Sequence, residues 1–296
     1  MFNLRLLFVS LVWGMNFSLI KTALSDFGPM SFTLLRFALA SLSLFAALVI
    51  MRVPLRVSRE DRLPLIGLGL SGIALYSIFF MEGLTRTSAS NSALLISLSP
   101  LFAALIQAMG RKERIGKLAI AGLVLAAAGV VLIIRDRPGD LAFGADRLKG
   151  DLLTLCASAL WAFYTLSARP ILARHHPMKV TAYAMGIGCI LLLPYGAGEL
   201  TAQDWAPIAA RSWASLAFSA FIAGGAAYSL WYDGVKQLGA TRTAVYHFLV
   251  PVVAVAFAAL LFGERVTLFQ LLGGAAILSG VALVQRKRQE STKQGA

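Results

Sequence analysis

The chain has 296 residues, of which 58% are hydrophobic and 14% charged, with a mean hydropathy of +0.75 and a formal net charge of +13. A soluble domain carries about 25% charged residues, so this composition excludes a water-soluble globule and points to a bilayer as solvent. The surplus of Lys and Arg is then that of the cytoplasmic loops of a membrane protein, and nucleic acid is not expected as a partner.

A spanning helix needs about 20 mostly apolar residues. Ten such stretches are predicted in chain order: Leu4–Ile20, Ser31–Met51, Leu63–Leu84, Ser90–Met109, Leu118–Ile134, Leu152–Ala168, Val180–Glu199, Trp213–Tyr232, Thr243–Phe262 and Leu268–Val284. The first carries Trp13, Asn16 and Lys21 in place of a small-residue cleavage site, so no cleavable signal peptide is expected. The longest connection, Arg135–Gly150, holds Pro138, Gly139, Gly144 and Gly150 and joins two halves. With the N-terminus in the cytoplasm, 18 Lys and Arg fall on the inner side against 8 on the outer, which predicts both termini inside.

The halves repeat. Ala89, Pro100, Glu113-Arg114, Gly122, Gly129 and Leu132 recur, each 151 residues on, as Ala240, Pro251, Glu264-Arg265, Gly273, Gly280 and Leu283. An odd number of helices per half forces the second half to enter from the opposite side. The predicted fold is therefore all-α and integral to the membrane: ten helices as two inverted five-helix repeats around a central cavity, with the substrate near the midplane. The divisions are a first repeat over 1–135, a linker over 136–150, a second repeat over 151–285 and a basic cytoplasmic tail over 286–296.

Pro100 and Pro251 fall near the centres of the fourth and ninth spans. Proline cannot donate to the carbonyl four residues earlier, which frees Ile96 and His247 at mid-depth. Such carbonyls must face protein or a wet cavity, and the prolines are candidate gating kinks. Trp13 and Trp161 form a second matched pair, in Ser10-Leu11-Val12-Trp13-Gly14 and Ser158-Ala159-Leu160-Trp161-Ala162. Asn16 follows the first and Tyr164 the second. On the third and eighth spans, Tyr76, Phe79 and Phe80 have Tyr228, Trp231 and Tyr232 as counterparts, with Gly72, Gly224 and Gly225 allowing close helix approach and, as candidate gating residues, sliding. Trp13, Asn16, Tyr76, Phe79, Trp161, Tyr164, Tyr228, Tyr246 and His247 are the candidate substrate-binding residues. An aromatic, hydroxyl-bearing pocket of this kind suits an organic solute with an apolar side chain.

Gly122, Gly129, Gly273 and Gly280 read as a packing seam, for scaffolding or for a homodimer through the fifth and tenth helices. Arg36 is the one ionic residue well inside a span; it either snorkels to the interface or opposes a substrate carboxylate. Cys156 and Cys189 read as small core residues, and His175-His176 as solvated surface. No catalytic constellation, metal site or cofactor is expected, so the chain is not read as an enzyme.

Trp13, Gly14, Asn16 and Phe17 resemble the first helix of EamA-type members of the drug/metabolite transporter superfamily. The Phe262-Gly263-Glu264-Arg265-Val266-Thr267 run with Gln270 and Gly273 is similar to the family's repeat ending. The first-half counterpart, Arg111-Lys112-Glu113, departs from that pattern. The resemblance covers the whole chain and extends to the YddG-type exporters of aromatic and other amino acids. It implies a cavity framed by helices one, three, four, six, eight and nine. It also implies a secondary transporter in the bacterial inner membrane that exports amino acids, aromatic and apolar ones favoured, by alternating access; with no Asp or Glu at mid-span and His247 the one deep titratable group, facilitated flux is expected. The alternative is a proton-coupled drug or metabolite antiporter on the same scaffold.

Overall fold

Among the described residues the helices group into ten along the chain, eight of them long and apolar enough to cross a membrane. The computed structural model describes residues 3–111, 117–135, 145–263 and 265–294, and every regular element among them is helical. They are α1 (Leu4–Ala23), α2 (Pro29–Ile50), α3 (Arg59–Arg86), α4 (Ala89–Ile96 continued by Ser99–Arg111), α5 (Lys117–Arg135), α6 (Ala145–Ser167, with a further turn at Arg169–Arg174), α7 (Pro177–Ala202), α8 (Ala210–Leu238), α9 (Ala240–Tyr246 continued by Leu249–Phe262) and α10 (Leu268–Gln294). The turns at Lys112-Glu113-Arg114 and Glu264 and linker residues 136–144 lie outside the described residues. The end of the expected linker, 145–150, already belongs to α6, and the expected tail continues α10 to Gln294.

The inward faces form one large core, while the outward faces carry exposed apolar side chains such as Ile50, Leu63, Ile190 and Leu260. In water that surface would be unstable; in hydrocarbon it is the solvated face. The packing respects the repeat. α1 packs on α8 and α9 of the other half, and α6 packs correspondingly on α3 and α4; α2 meets α7 near the axis. Each half thus closes around the other, as two inverted units must.

α5 and α10 pair with each other. A Cβ on Gly129 would run into the Gly273 carbonyl and Ile277, and one on Gly280 into the Gly122 carbonyl and Ala126. The small-residue seam is therefore filled within one chain. Their outward faces carry larger exposed side chains, such as Ile120, Val124, Leu268 and Leu271.

Side chains from one half cap helices of the other. Glu199 of α7 accepts from the backbone N–H groups of Met30 and Ser31 at 2.8 and 2.7 Å, where α2 begins on Pro29. Asp26, in the α1–α2 turn, accepts from the Ala209 N–H at 3.1 Å and the Ser212 hydroxyl at 2.6 Å, where α8 begins. Each carboxylate meets the positive end of a helix dipole. At the opposite end of the bundle His175 is not solvated surface. Its Nε2 lies 2.6 Å from Asp61 Oδ2, and Arg174 pairs with the other oxygen, tying α3 to the α6–α7 turn. Cys156 is exposed on an outward face rather than in the core, and Cys189 is half-buried with its thiol 3.5 Å from the Leu34 carbonyl.

Candidate functional site

The fourth and ninth spans are broken where the prolines predict. α4 stops at Ile96 and restarts at Ser99; α9 stops at Tyr246 and restarts at Leu249. The freed Ile96 carbonyl accepts from the Ser158 hydroxyl of α6 at 3.0 Å. At the second break the Tyr246 carbonyl accepts from the Ser10 hydroxyl of α1 at 2.7 Å, and the His247 carbonyl takes the Val250 N–H at 3.2 Å. Protein groups therefore meet the carbonyls at both breaks, and a serine from the opposite half does so in each. α3 and α8 carry a second matched irregularity: π-helical turns over Gly69–Leu75 and Phe218–Ala226. Such turns widen a helix and recur at functional sites. The Ala223 carbonyl in the second one accepts from the Trp13 indole N–H at 3.0 Å.

Between these irregular segments lies a small cavity of about 40 Å³. Trp13, Asn16, Arg36, Tyr76, Phe80, Trp161, Ser219, Gly224, Tyr228 and His247 line it, together with Phe17, Ile20, Ile96, Ala223 and Val250. The wall is a connected aromatic cluster. Trp13 meets Trp161 edge-on at 5.2 Å between ring centroids; Tyr228 meets both at 5.3 Å; Tyr76 stacks on Phe80 at 5.5 Å. Asn16 accepts a hydrogen bond from Ser219, which fixes its amide.

A second, smaller cavity, of about 20 Å³, lies toward the end of the bundle that carries both chain termini. Ser99, Pro100, Gln107, Thr165, Trp231 and Ala244 border it, and the half-buried Ala103, Ala104 and Gln107 lead outward. Trp161 and His247 line both cavities, stacked at 6.1 Å with an interplanar angle of 15°. His247 is held further by the Ser99 hydroxyl, 3.2 Å from its Nδ1. This pair of rings is a partition across the molecule.

Of the sequence candidates, Trp13, Asn16, Tyr76, Trp161, Tyr228, His247 and Gly224 border the first cavity and Pro100 the second. Phe79 does not; it packs half-buried against the core while Phe80, one residue on, takes the wall. Tyr164 lies behind the wall, against Tyr232 at 5.1 Å, with its ring where a Cβ on Gly72 would stand. Gly72 is thus a tight crossing of α3 with α6 rather than a sliding hinge. Tyr246 points away, its hydroxyl accepting from the Asn3 N–H at 2.8 Å. Pro251 and Gly225 support the wall without lining it, Pro251 buried after the break and Gly225 facing Ser43 and Leu44. Arg36 does not snorkel: it is 5% exposed and faces the cavity. Arg36, Phe80, Ser99 and Ser219 are among the lining residues that were not candidate binding residues in the sequence. Ser10 and Ser158 were legible as a pair, since each stands three residues before a cavity tryptophan.

The model of the EamA-like transporter family matches residues 2–135 and 148–286. An uncharacterized transporter of Archaeoglobus fulgidus is 32% identical over 97% of this chain and 98% of its own length. A probable terminal-alkyne amino-acid exporter of Streptantibioticus cattleyicolor is 30% identical over 96% and 94%. A probable amino-acid metabolite efflux pump of Escherichia coli is 28% identical over 93% and 91%. A crystal structure matches with a TM-score of 0.68 over 94% of both chains at 20% identity, a likeness of fold.

Proposed function

The chain belongs to the EamA-like transporter family and is a multi-pass membrane transporter, and from that premise we propose that it exports amino acids, aromatic and apolar ones foremost, by alternating access without obligatory proton exchange. The observation that carries this reading is the partition: Trp161 and His247 line both of two cavities that lie toward opposite ends of the bundle. The first cavity has the aromatic wall for a solute with an apolar side chain, and parting of the half-helices would enlarge it to take one. The names given to the relatives from Streptantibioticus cattleyicolor and Escherichia coli support the same cargo class.

In this reading the broken helices α4 and α9 move as half-helices about Ser97-Leu98 and His247-Phe248, and the rings part in turn toward each side. The protein resides in the bacterial inner membrane with both termini in the cytoplasm, as its basic loops favour. The test is flux of labelled phenylalanine, tryptophan and leucine from proteoliposomes holding the purified protein. Saturable efflux above that of empty vesicles is expected. Efflux of cationic drugs with no amino-acid flux would replace the reading with a drug exporter. Cysteine labelling of Arg52–Arg62 and of the linker from the same side would overturn the topology.

A further inference from the structure

Arg36 stands seven residues into α2, about 10 Å below its start. A side chain that deep could reach toward the interface, yet it turns inward and faces the first cavity. Its guanidinium carbon lies 4.3 Å over the Phe37 ring, which holds it in place. Tyr76 and Tyr228, two neutral phenols, line the same cavity. Among the described residues Arg36 makes no hydrogen bond and no ion pair, and its Nε is buried without a partner. No Asp or Glu lines the cavity. A guanidinium offers five N–H donors in a planar fork that matches a carboxylate. Burying one unpaired is strongly unfavourable. A fold that keeps such a charge at its central cavity has left the counter-charge to something that enters.

We propose that Arg36 receives the carboxylate of the cargo, so that the first cavity selects monocarboxylates with an apolar or aromatic body over their amides and their decarboxylated amines. The two tyrosine hydroxyls flank the carboxylate, and the body lies on Trp161 and Phe80. The proposal rests on reading this cavity as the cargo site, but not on the cargo's being an amino acid. A cationic amine would meet Arg36 as a like charge, which separates this cavity from one built for cationic drugs. Arg36 also gives the cavity a cost when empty of anion, so that cargo binding and closure around it are coupled.

The probes are phenylacetate and phenylacetamide, which differ in charge and hardly in shape, read by quenching of the fluorescence of Trp13 and Trp161 in the purified full-length protein. Phenylacetate is expected to bind about tenfold or more tighter than the amide. In Arg36→Gln the two should bind alike, with amide affinity kept; in Arg36→Lys, which lacks the fork, the preference should shrink but persist. Equal binding in the wild type, no binding of either probe, or an undiminished preference in Arg36→Gln would overturn the proposal. If the Gln variant does not fold, an undiminished preference in Arg36→Lys overturns it. Phenylalanine itself separates the two readings. Phenylacetate binding through Arg36 without phenylalanine binding or flux sinks amino-acid export and keeps the carboxylate site. Phenylalanine flux unchanged in Arg36→Gln does the reverse.

Discussion

Ser10 and Ser158 show how single side chains make a broken membrane helix affordable. Each lies on the first helix of its half and donates across the bundle to a carbonyl at the break in the other half's fourth helix. Ser158 has the Ile96 carbonyl alone, whereas the one Ser10 proton is shared between Tyr246 at 2.7 Å and Leu6 at 2.9 Å. Ser158→Ala is therefore expected to be the costlier change, by about 1 kcal/mol of stability. Thermal unfolding in detergent reads it, and an unshifted midpoint would mean that water replaces the hydroxyl at that site. Trp161 acts differently, since it touches Trp13, Tyr76, Tyr228 and His247 at once. Trp161→Ala joins the two cavities and removes the stacking surface. Substrate affinity should fall about tenfold from the lost aromatic contact, and wild-type affinity by fluorescence or flux would remove Trp161 from the site. The repeat made Trp13, Trp161, Pro100 and Pro251 legible, because matched positions single them out. Phe79 and Phe80 are adjacent, and only the true rotation of α3 decides between them. Arg36 was placed by depth and not by face; a helix that is apolar all round gives no sign of which way a long side chain turns.

At the scale of elements, the breaks of α4 and α9 follow from proline chemistry and were readable, while the π-helical turns of α3 and α8 were not. A π turn needs one more residue per turn than the surrounding helix, and no residue type marks it. The caps lay equally out of sight. Asp26 and Glu199 are ordinary loop and helix-end acids in sequence, and only packing brings them to helix starts in the opposite half. Asp26 carries a pH dependence. The bonds from Ser212 and from the Ala209 N–H hold its carboxyl below the ordinary carboxylate value. A lowered folded pKa contributes stability in full above the unfolded value of about 3.9 and loses it as pH falls through the folded value. Asp26→Asn should thus melt below the wild type at neutral pH, and the gap should narrow as the buffer is taken from about pH 5 to about pH 3. A gap that stays constant over that range would mean that hydrogen bonding, not charge, anchors the start of α8.

For the whole molecule, the inverted repeat turns these parts into a device with two equivalent ends. Helices α1 and α6 each carry a cavity tryptophan and a serine that holds the opposing break, so the contacts that close one end have counterparts at the other. What drives the exchange between the two closures depends on the charges inside. Proton-coupled exporters move a titratable group between the two solvent sides. Among the described residues no carboxylate lines either cavity, and the buried Asp151 bonds Thr87 near the start of α6. His247 remains, but its Nδ1 faces a neutral serine and its ring stacks in the partition, which is the setting of a positioning group. A protonated His247 would also share its cavity with Arg36. Transport should therefore follow the substrate gradient alone. In proteoliposomes loaded with phenylalanine and held at equal pH on both sides, net efflux is expected to run to equilibrium. A pH step imposed on vesicles with equal phenylalanine inside and out should move none. His247→Gln, which keeps a hydrogen-bonding side chain there, should slow both directions equally. Accumulation driven by the pH step, lost in His247→Gln, would make the histidine the proton carrier and the protein an antiporter.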